Sequence, residues 1–464
     1  MAEMKNGLIL RTVPLLIAAG HCERSAAIKA RMFVATAVLL LTLVASATAR
    51  YGGGSGTPDD PYKIATAADL IALGESPEDY DKHFILTADI DLDPNLPCSA
   101  EATPGCKVFD KAVIAPDTDP VKSYFQGTPF TGEFVGNGHV ISHLTITGKD
   151  FLGLFGQLES PSKVKELGVV DVNISGSGSD VGGLAGYKRG FVTRCYSTGS
   201  VRGKERVGGL VGVNVGPVTQ CYSTGTVTGT GDRVGGLVGE NWSDVSRCYS
   251  TCAANGLYSV GGLVGCNGLG AVTQCKSSGM VRGTSRVGGL VGYDEYGDVI
   301  QCYSSGIVRG TYDVGGLVGY NYRGDVTQCY STGAVSGNSY VGGLVGFTRG
   351  IMTACFWDTQ TSGQATSAGG AGKTTAEMQA ESTFICWAGD SVWTIDEGKD
   401  YPRLSWENAS GRTIARRCYG GGGGSRTDPY LIYTSEQINM IGLIPCDWDK
   451  HFKLMADHYC PVIS

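Results

Sequence analysis

Between Val181 and Gly346 the apolar and small positions recur with a fixed period. The segment Val-Gly-Gly-Leu-(Val/Ala)-Gly is written seven times, beginning at Val181, Val207, Val234, Val260, Val287, Val314 and Val341, a spacing of 26 or 27 residues. A period that strict means one small unit stacked on itself. Other columns keep the same period. Cysteine stands at 195, 221, 248, 275, 302, 329 and 355, followed by Tyr196, Tyr222, Tyr249, Tyr303, Tyr330 and Phe356, with Lys276 as the exception. A further column reads Asn214, Asn241, Asn267, Asp294 and Asn321.

Each unit thus contains three short strand-like runs: Gly-Gly-Leu-Val-Gly, Val-Thr-Gln-Cys-Tyr-Ser-Thr-Gly and a Val-x-Gly piece. Glycines bound these runs and are expected to supply the positive φ of the corners. Three strands in a coil of ~27 residues is the arithmetic of a parallel β-helix. Successive coils would stack ~4.8 Å apart, with like residues above one another. Leucine, valine and cysteine would point inward, since a free cysteine behaves as a small hydrophobe. The asparagines would sit at a corner and hydrogen-bond along the stack. Alternation puts the tyrosines outward. A seven-bladed propeller needs ~40 residues or more per blade, and leucine-rich or helical repeat patterns are absent.

The flanks repeat on a larger scale. Residues 51–92 and 419–458 are two copies of one module offset by 368 residues: Pro61-Tyr62 matches Pro429-Tyr430, and Asp81-Lys82-His83-Phe84 matches Asp449-Lys450-His451-Phe452. The second copy reads as the start of a truncated second array. Thr66 to Leu73 suggests a short helix covering the first coil, because an open solenoid end invites edge pairing. Thr374-Thr375-Ala376-Glu377 is a capping-box pattern. Trp387, Trp393, Tyr401 and Trp406 follow it and are expected to close the apolar end of the array. The resulting division is a leader region at 1–49, an N-terminal cap and irregular loop at 50–120, the solenoid at 121–362, a C-terminal cap at 363–410, and a Gly-rich linker with the second module at 411–464.

Composition narrows the function. The chain has 464 residues, 71 of them glycine, and a net charge of −7, which argues against nucleic acid as a partner. Phe33 to Val44 is an apolar run after Lys29 and Arg31, ending in Ala47-Thr48-Ala49. It reads as a secretory leader cleaved after Ala49, with a start near Met32 as one explanation of its distance from Met1. No later apolar stretch is long enough to span a bilayer. In an exported chain Cys98 and Cys106, which flank an irregular loop, are the expected disulfide. The repeat cysteines match no zinc spacing and are expected to be free buried thiols.

Candidate chemistry is sparse. Asp298 and Asp325 fall one period apart, with Asp244 in the same column and Ala271 interrupting it. Stacked carboxylates could hold calcium or act as acid and base, but a solvated turn column has the same signature. The Asp81-Lys82-His83 cluster recurs in the second module and reads as part of that module. No histidine lies in the repeats, so no general base faces them. The outward column Tyr196, Tyr222, Tyr249, Tyr303 and Tyr330 is the best ligand-binding candidate, for sugars or a surface protein. Its competing reading is purely structural same-face stacking.

The Gly-Gly-Leu-Val-Gly core followed by Val-Thr-Gln-Cys-Tyr-Ser-Thr-Gly resembles the GLUG-motif repeats of secreted bacterial proteins. Phe130-Thr131-Gly132-Glu133-Phe134-Val135-Gly136-Asn137-Gly138-His139 looks like the lead-in to such repeats, and Gly153-Leu154-Phe155-Gly156 like a degenerate first copy. The resemblance implies a right-handed β-helix on an extracellular or cell-surface protein. It implies no particular activity. Some such repeats accompany metallopeptidases that cleave immunoglobulin A through His-Glu-x-x-His, and no histidine here precedes a glutamate. Together the features point to a binding or structural role: adhesion, surface assembly or glycan contact. The alternative is a β-helix polysaccharide lyase or hydrolase. No cofactor beyond a possible calcium ion is expected.

Overall fold

The computed structural model describes residues 51–95, 107–387, 391–414, 419, 421–443 and 447–455. The expected leader and the Cys98–Cys106 pair lie outside them. Between Tyr62 and Lys373 the described residues wind as a parallel β-solenoid of about eight coils. From Ser179 onward each repeat coil contributes to four sheets rather than three. In one coil, Asp232–Gly235 joins a seven-stranded sheet (the Val-Gly face), and Val238–Asn241 joins an eight-stranded one (the Asn face). Val245–Ser246 then joins an eleven-stranded sheet (the Val-Thr face), and Tyr249–Ser250 with Ala253–Asn255 a sixteen-stranded one (the Tyr face).

The extra side comes from the bend at Gly-Gly-Leu, which splits the first run into two strands. These glycines are chosen for space and not for φ. A Cβ on Gly235 would stand 1.9 Å from the Val238 carbonyl oxygen, and one on Gly236 2.1 Å from that of Gly262. The bend is still hydrogen-bonded between coils, as from the Leu237 N–H to the Leu263 carbonyl at 2.8 Å. Apart from Gly199 and Gly225, positive φ in the repeats falls on residues with side chains. Arg206 (52°), Arg233 (63°) and Arg286 (57°) turn the corner before each Val-Gly pair, and Gln220 (55°), Gln274 (53°) and Gln328 (53°) the corner before each cysteine. Left-handed conformation costs a non-glycine residue roughly 1–2 kcal/mol. Side-chain ladders offset part of this cost, as Gln274 Nε2 donates to Gln301 Oε1 at 3.2 Å and Gln301 Nε2 to Gln328 Oε1 at 2.9 Å.

Register keeps like on like: Val207 pairs with Val234, and Asn214 with Asn241. Leu210, Leu237, Leu263, Leu290, Leu317 and Leu344 are fully buried, as are the cysteines from Cys195 to Cys329. Each buried leucine contributes about 2 kcal/mol of transfer free energy. The repeat cysteines are free thiols; the Cys248 Sγ accepts the Cys221 N–H at 3.3 Å, and Cys275 that of Cys248 at 3.4 Å. Burial pushes the Cys195 and Cys302 thiols well up. Single-residue differences in period are taken up in turns. The turn leaving the Asn face has three residues at 215–217 and 242–244 but four at 268–271, 295–298 and 322–325.

The asparagine column is a buried amide chain. Asn214 Nδ2 donates to Asn241 Oδ1 at 2.7 Å, Asn241 to Asn267 at 2.8 Å, and Asn267 to Asp294 Oδ1 at 2.8 Å. At Asp294 the donor runs out and its Oδ2 has no partner; burial holds this carboxyl well above the usual range. At the other end stands Lys188, whose Nζ donates to the carbonyls of Gly190, Gly216 and Pro217 at 3.0, 2.6 and 3.0 Å. Burial pushes its ammonium down to about 7.

In the first flanking module, the helix Ala67–Gly74 is capped by Thr66 with Asp69 and buries Leu70 and Leu73 in the solenoid core. Tyr62–Ile64 pairs with His83–Leu86, and in the second module Tyr430–Ile432 pairs with Phe452–Leu454 in the same register, Tyr62 to Phe84 and Tyr430 to Phe452. The C-terminal aromatics do not plug the end of the array. That end is closed by Trp357, whose Nε1 donates to the Gln364 carbonyl at 3.0 Å, and by Ala371–Lys373 paired on Phe356–Asp358. Residues 374–387 and 391–414 form a strap that lies instead on the outer side of the Tyr face, where Phe384, Trp387 and Trp393 pack with Tyr303 and Tyr330. Among the described residues no helix is long and apolar enough to cross a membrane, which says nothing of membrane-spanning strands.

Candidate functional site

The Tyr face carries the expected ladder in two unequal halves. Tyr196 and Tyr222 stack at 4.6 Å between ring centroids and 4° between planes, and Tyr222 and Tyr249 at 4.7 Å and 6°. These three are half-buried, and burial together with the flanking rings pushes the Tyr222 phenol up to about 12. Tyr303 and Tyr330 point outward too, but the strap covers them, leaving 2% and 1% exposed. Trp393 sits 5.8 Å and Trp387 6.0 Å from the Tyr330 ring, and the Tyr330 hydroxyl donates to the Pro402 carbonyl at 2.5 Å. Glu407 accepts from Lys276 Nζ at 2.5 Å and from the Tyr303 hydroxyl at 3.0 Å, and Arg403 Nη1 donates to that hydroxyl at 3.1 Å. The proposed five-ring surface is therefore corrected to three open rings, ending where Trp406 packs beside Tyr249 at 6.3 Å.

A second surface runs along the Asn face. The left-handed corner residues fold back over this sheet: Arg233 Nη1 reaches Glu240 Oε2 at 3.2 Å, and the Arg286 guanidinium lies 4.6 Å from the Tyr293 ring centroid. The result is a longitudinal groove. Its floor is the column Tyr187, Val213, Glu240, Cys266, Tyr293, Tyr320 and Phe347, which pair in register. One wall is the corner column and the other the variable-length turn. At the N-terminal end, with the loop through Tyr124 and Phe125, it encloses about 800 Å³. Trp242 (41% exposed), Tyr124 (62%) and Leu269 (63%) present apolar surface there, beside Arg206, Glu240 and Gln157. Asp180 is buried against Arg206, and its burial outweighs that guanidinium and pushes the carboxyl up to about 6.

The remaining candidates are dispersed. Asp298 and Asp325 are exposed turn residues on adjacent coils, and Asp298 Oδ1 accepts the Asp325 N–H at 3.2 Å. Asp244 does the same for the Ala271 N–H at 3.3 Å. Among the described residues no group of three potential metal-ligating side chains converges. Lys82 pairs with its neighbour Asp81 at 2.9 Å, while His83 lies 3.7 Å from Glu133. His143 bonds Asp91 at 2.7 Å, which raises its pKa.

The groove was not among the sequence-derived candidates. Its floor occupies the one variable position inside Val-Gly-x-Asn, and its wall the variable residue before each Val-Gly-Gly. Variability inside a strict repeat, with aromatic residues frequent in the floor and charged ones in the wall, was the available signal.

The GLUG motif matches at residues 203–228, 256–282 and 310–336, three stretches within the solenoid. Halomucin of Haloquadratum walsbyi is 35% identical over 156 residues, which is 33% of this chain and 2% of that protein. A "Putative Gly-rich membrane protein" of Evansella cellulosilytica is 33% identical over 150 residues, 31% of this chain and 15% of that one. The chain thus spans a small part of these curated relatives. Among solved structures, a "putative immunoglobulin A1 protease" from Bacteroides ovatus aligns over 77% of this chain and 95% of its own, with 19% identity and a TM-score of 0.40.

Proposed function

We propose that this GLUG-repeat solenoid is a secreted or cell-surface binding protein that holds an extended glycan strand in the groove along its Asn face. The observation that carries the reading is the groove's N-terminal half. Exposed Trp242 and Tyr124 line it together with the polar side chains of Gln157, Arg206 and Glu240. Rings offer flat apolar contact to sugar faces, and the polar groups between them fix hydroxyls. The solenoid repeats this contact along its axis, as concave repeat surfaces do. A surface location is supported by the names of the relatives, a mucin and a membrane protein, and by the leader-like run before Ala49. The open rings Tyr196, Tyr222 and Tyr249 offer a second contact strip.

The test is a glycan array probed with the full chain, followed by titration of any retained oligosaccharide. Trp242→Ala is expected to weaken binding at least tenfold. Retention of no glycan, or affinity unchanged in both Trp242→Ala and Tyr222→Ala, would overturn the proposal. A hydrolytic reading draws on one observation, the raised Asp180 carboxyl in the same groove as Glu240. Release of reducing ends that disappears in Glu240→Gln would replace binding with catalysis.

A further inference from the structure

The arginines of the groove fall into two classes. Toward the N-terminal end each is matched by a carboxylate: Arg206 by Asp180, Arg233 by Glu240 at 3.2 Å, and Arg189 by Glu159 at 3.7 Å. Toward the C-terminal end Arg286, Arg323 and Arg349 make no ion pair with any described carboxylate. They lie on aromatic rings instead. Arg286 is 4.6 Å from the Tyr293 centroid and 5.6 Å from that of Tyr320. Arg323 is 5.2 Å from Tyr322 and 5.9 Å from Tyr296. Arg349 is 5.7 Å from both Tyr322 and Phe347. The rings also brace each other, Tyr320 against Phe347 at 4.8 Å and Tyr293 against Tyr320 at 5.6 Å. The nearby Asp313 is turned to Ser285, whose hydroxyl donates to it at 3.4 Å.

This arrangement has a direct chemical meaning. A ring under a guanidinium orients it and strips part of its water without neutralising it. Its planar edge keeps free N–H donors that match a carboxylate or sulfate bidentately. In a chain of net charge −7, these three groups stand on the two walls without an ion pair to any described carboxylate, although Asp313 acts electrostatically on Arg286 and Glu295 on Tyr293. Arg323 and Arg349 stand on consecutive coils and share Tyr322. Coils are ~4.8 Å apart, close to the advance of one sugar unit in an extended glycan.

We infer that the C-terminal half of the groove is a subsite for the anionic groups of an acidic glycan, gripped by Arg286, Arg323 and Arg349 on their tyrosine and phenylalanine platforms. The inference rests on the groove being a glycan site and adds the class of glycan: one bearing carboxylate or sulfate groups along its length. The aromatic platform favours a sugar polymer over a flexible acidic peptide, because it supplies apolar area between the charges.

The test compares affinities of the full chain for an oligogalacturonate and a neutral cello-oligosaccharide of equal length, with polyglutamate and single-stranded DNA as generic polyanions. The acidic glycan should bind at least tenfold tighter than the neutral one and weaken as NaCl is raised. The double variant Arg323→Ala/Arg349→Ala should lose at least tenfold in affinity for the oligogalacturonate and little for the neutral sugar. The pair Arg282→Ala/Arg309→Ala removes the same charge from the Tyr face, where these residues pair in register, and should change affinity less than threefold. Equal affinity for acidic and neutral glycans, an unaffected Arg323/Arg349 variant, or equally tight binding of DNA or polyglutamate would overturn the inference. If neutral sugar still binds and still depends on Trp242, the groove reading survives that failure; if no sugar binds, both fall.

Discussion

Replacing Tyr330 with alanine should release the strap, whereas the same change at Tyr222 should be mild. Tyr330 is buried among Tyr303, Phe384, Trp387, Trp393 and Tyr401, with ring centroids 4.9 to 6.5 Å away. Truncating a buried aromatic costs about 3–5 kcal/mol. The Pro402 carbonyl also loses its 2.5 Å partner, a further cost of about 1 kcal/mol or more for a buried acceptor. Tyr222 keeps one side open and stacks only on its neighbours, so its truncation should cost about 0.5–1.5 kcal/mol. The difference, about 3 kcal/mol, is readable by urea titration. Trp387, Trp393 and Trp406 lie in the strap, so tryptophan fluorescence reports its release while far-ultraviolet circular dichroism reports the solenoid. With a slope of about 1–3 kcal/mol per molar urea, the fluorescence midpoint of Tyr330→Ala should fall by about 1 M or more, ahead of the circular dichroism change. Equal midpoints for the two variants would refute the reasoning, because they would mean that the strap does not draw its stability from the covered rings.

Other outcomes follow from the interior. Asp294→Asn should restore the missing donor of the amide chain and stabilise the fold at pH 7 by about 1–3 kcal/mol. The native carboxyl titrates above its unfolded value; its folded form thus keeps a proton the unfolded chain has lost, and stability falls as pH rises above the unfolded pKa. The variant's urea midpoint should lose that acid-to-neutral decline, and a decline of unchanged size would count against a buried neutral acid. Gly236→Ala would force a Cβ to 2.1 Å from the Gly262 carbonyl oxygen and should cost about 3 kcal/mol or more, measured by thermal melting; a loss under 1 kcal/mol would show that the bend yields. The repeat thiols should resist a bulky maleimide in the native state and react in urea, counted by mass spectrometry, since all are buried.

The solenoid was legible because the repeat acts through backbone and core. Leucine and cysteine columns, the asparagine chain and the parallel register follow from which residues recur. The four-sided coil was not legible, because Gly-Gly-Leu reads as one run until the clash distances show that both glycines sit against carbonyl oxygens. The corners were misassigned for a related reason. Glycine is the usual bearer of positive φ, yet here Arg206, Gln220 and their equivalents bear it, where stacking with the next coil offsets the strain. The covering of Tyr303 and Tyr330 was hidden as well. Nothing within the repeats distinguishes those rings from Tyr222, and the strap that buries them lies some 70 residues further on, at Pro402. The groove escaped because a search for recurrence passes over the positions that vary.

The turn of three or four residues leaving the Asn face has an evolutionary consequence. It adjoins the groove wall that carries Trp242, Leu269, Tyr296 and Arg323, and its length changes without shifting any strand pairing. A lineage could therefore insert or delete a residue there, coil by coil, and alter what the wall presents while every core contact stays in place. Such a chain can change the surface it presents through small length changes, and can do so independently in each coil.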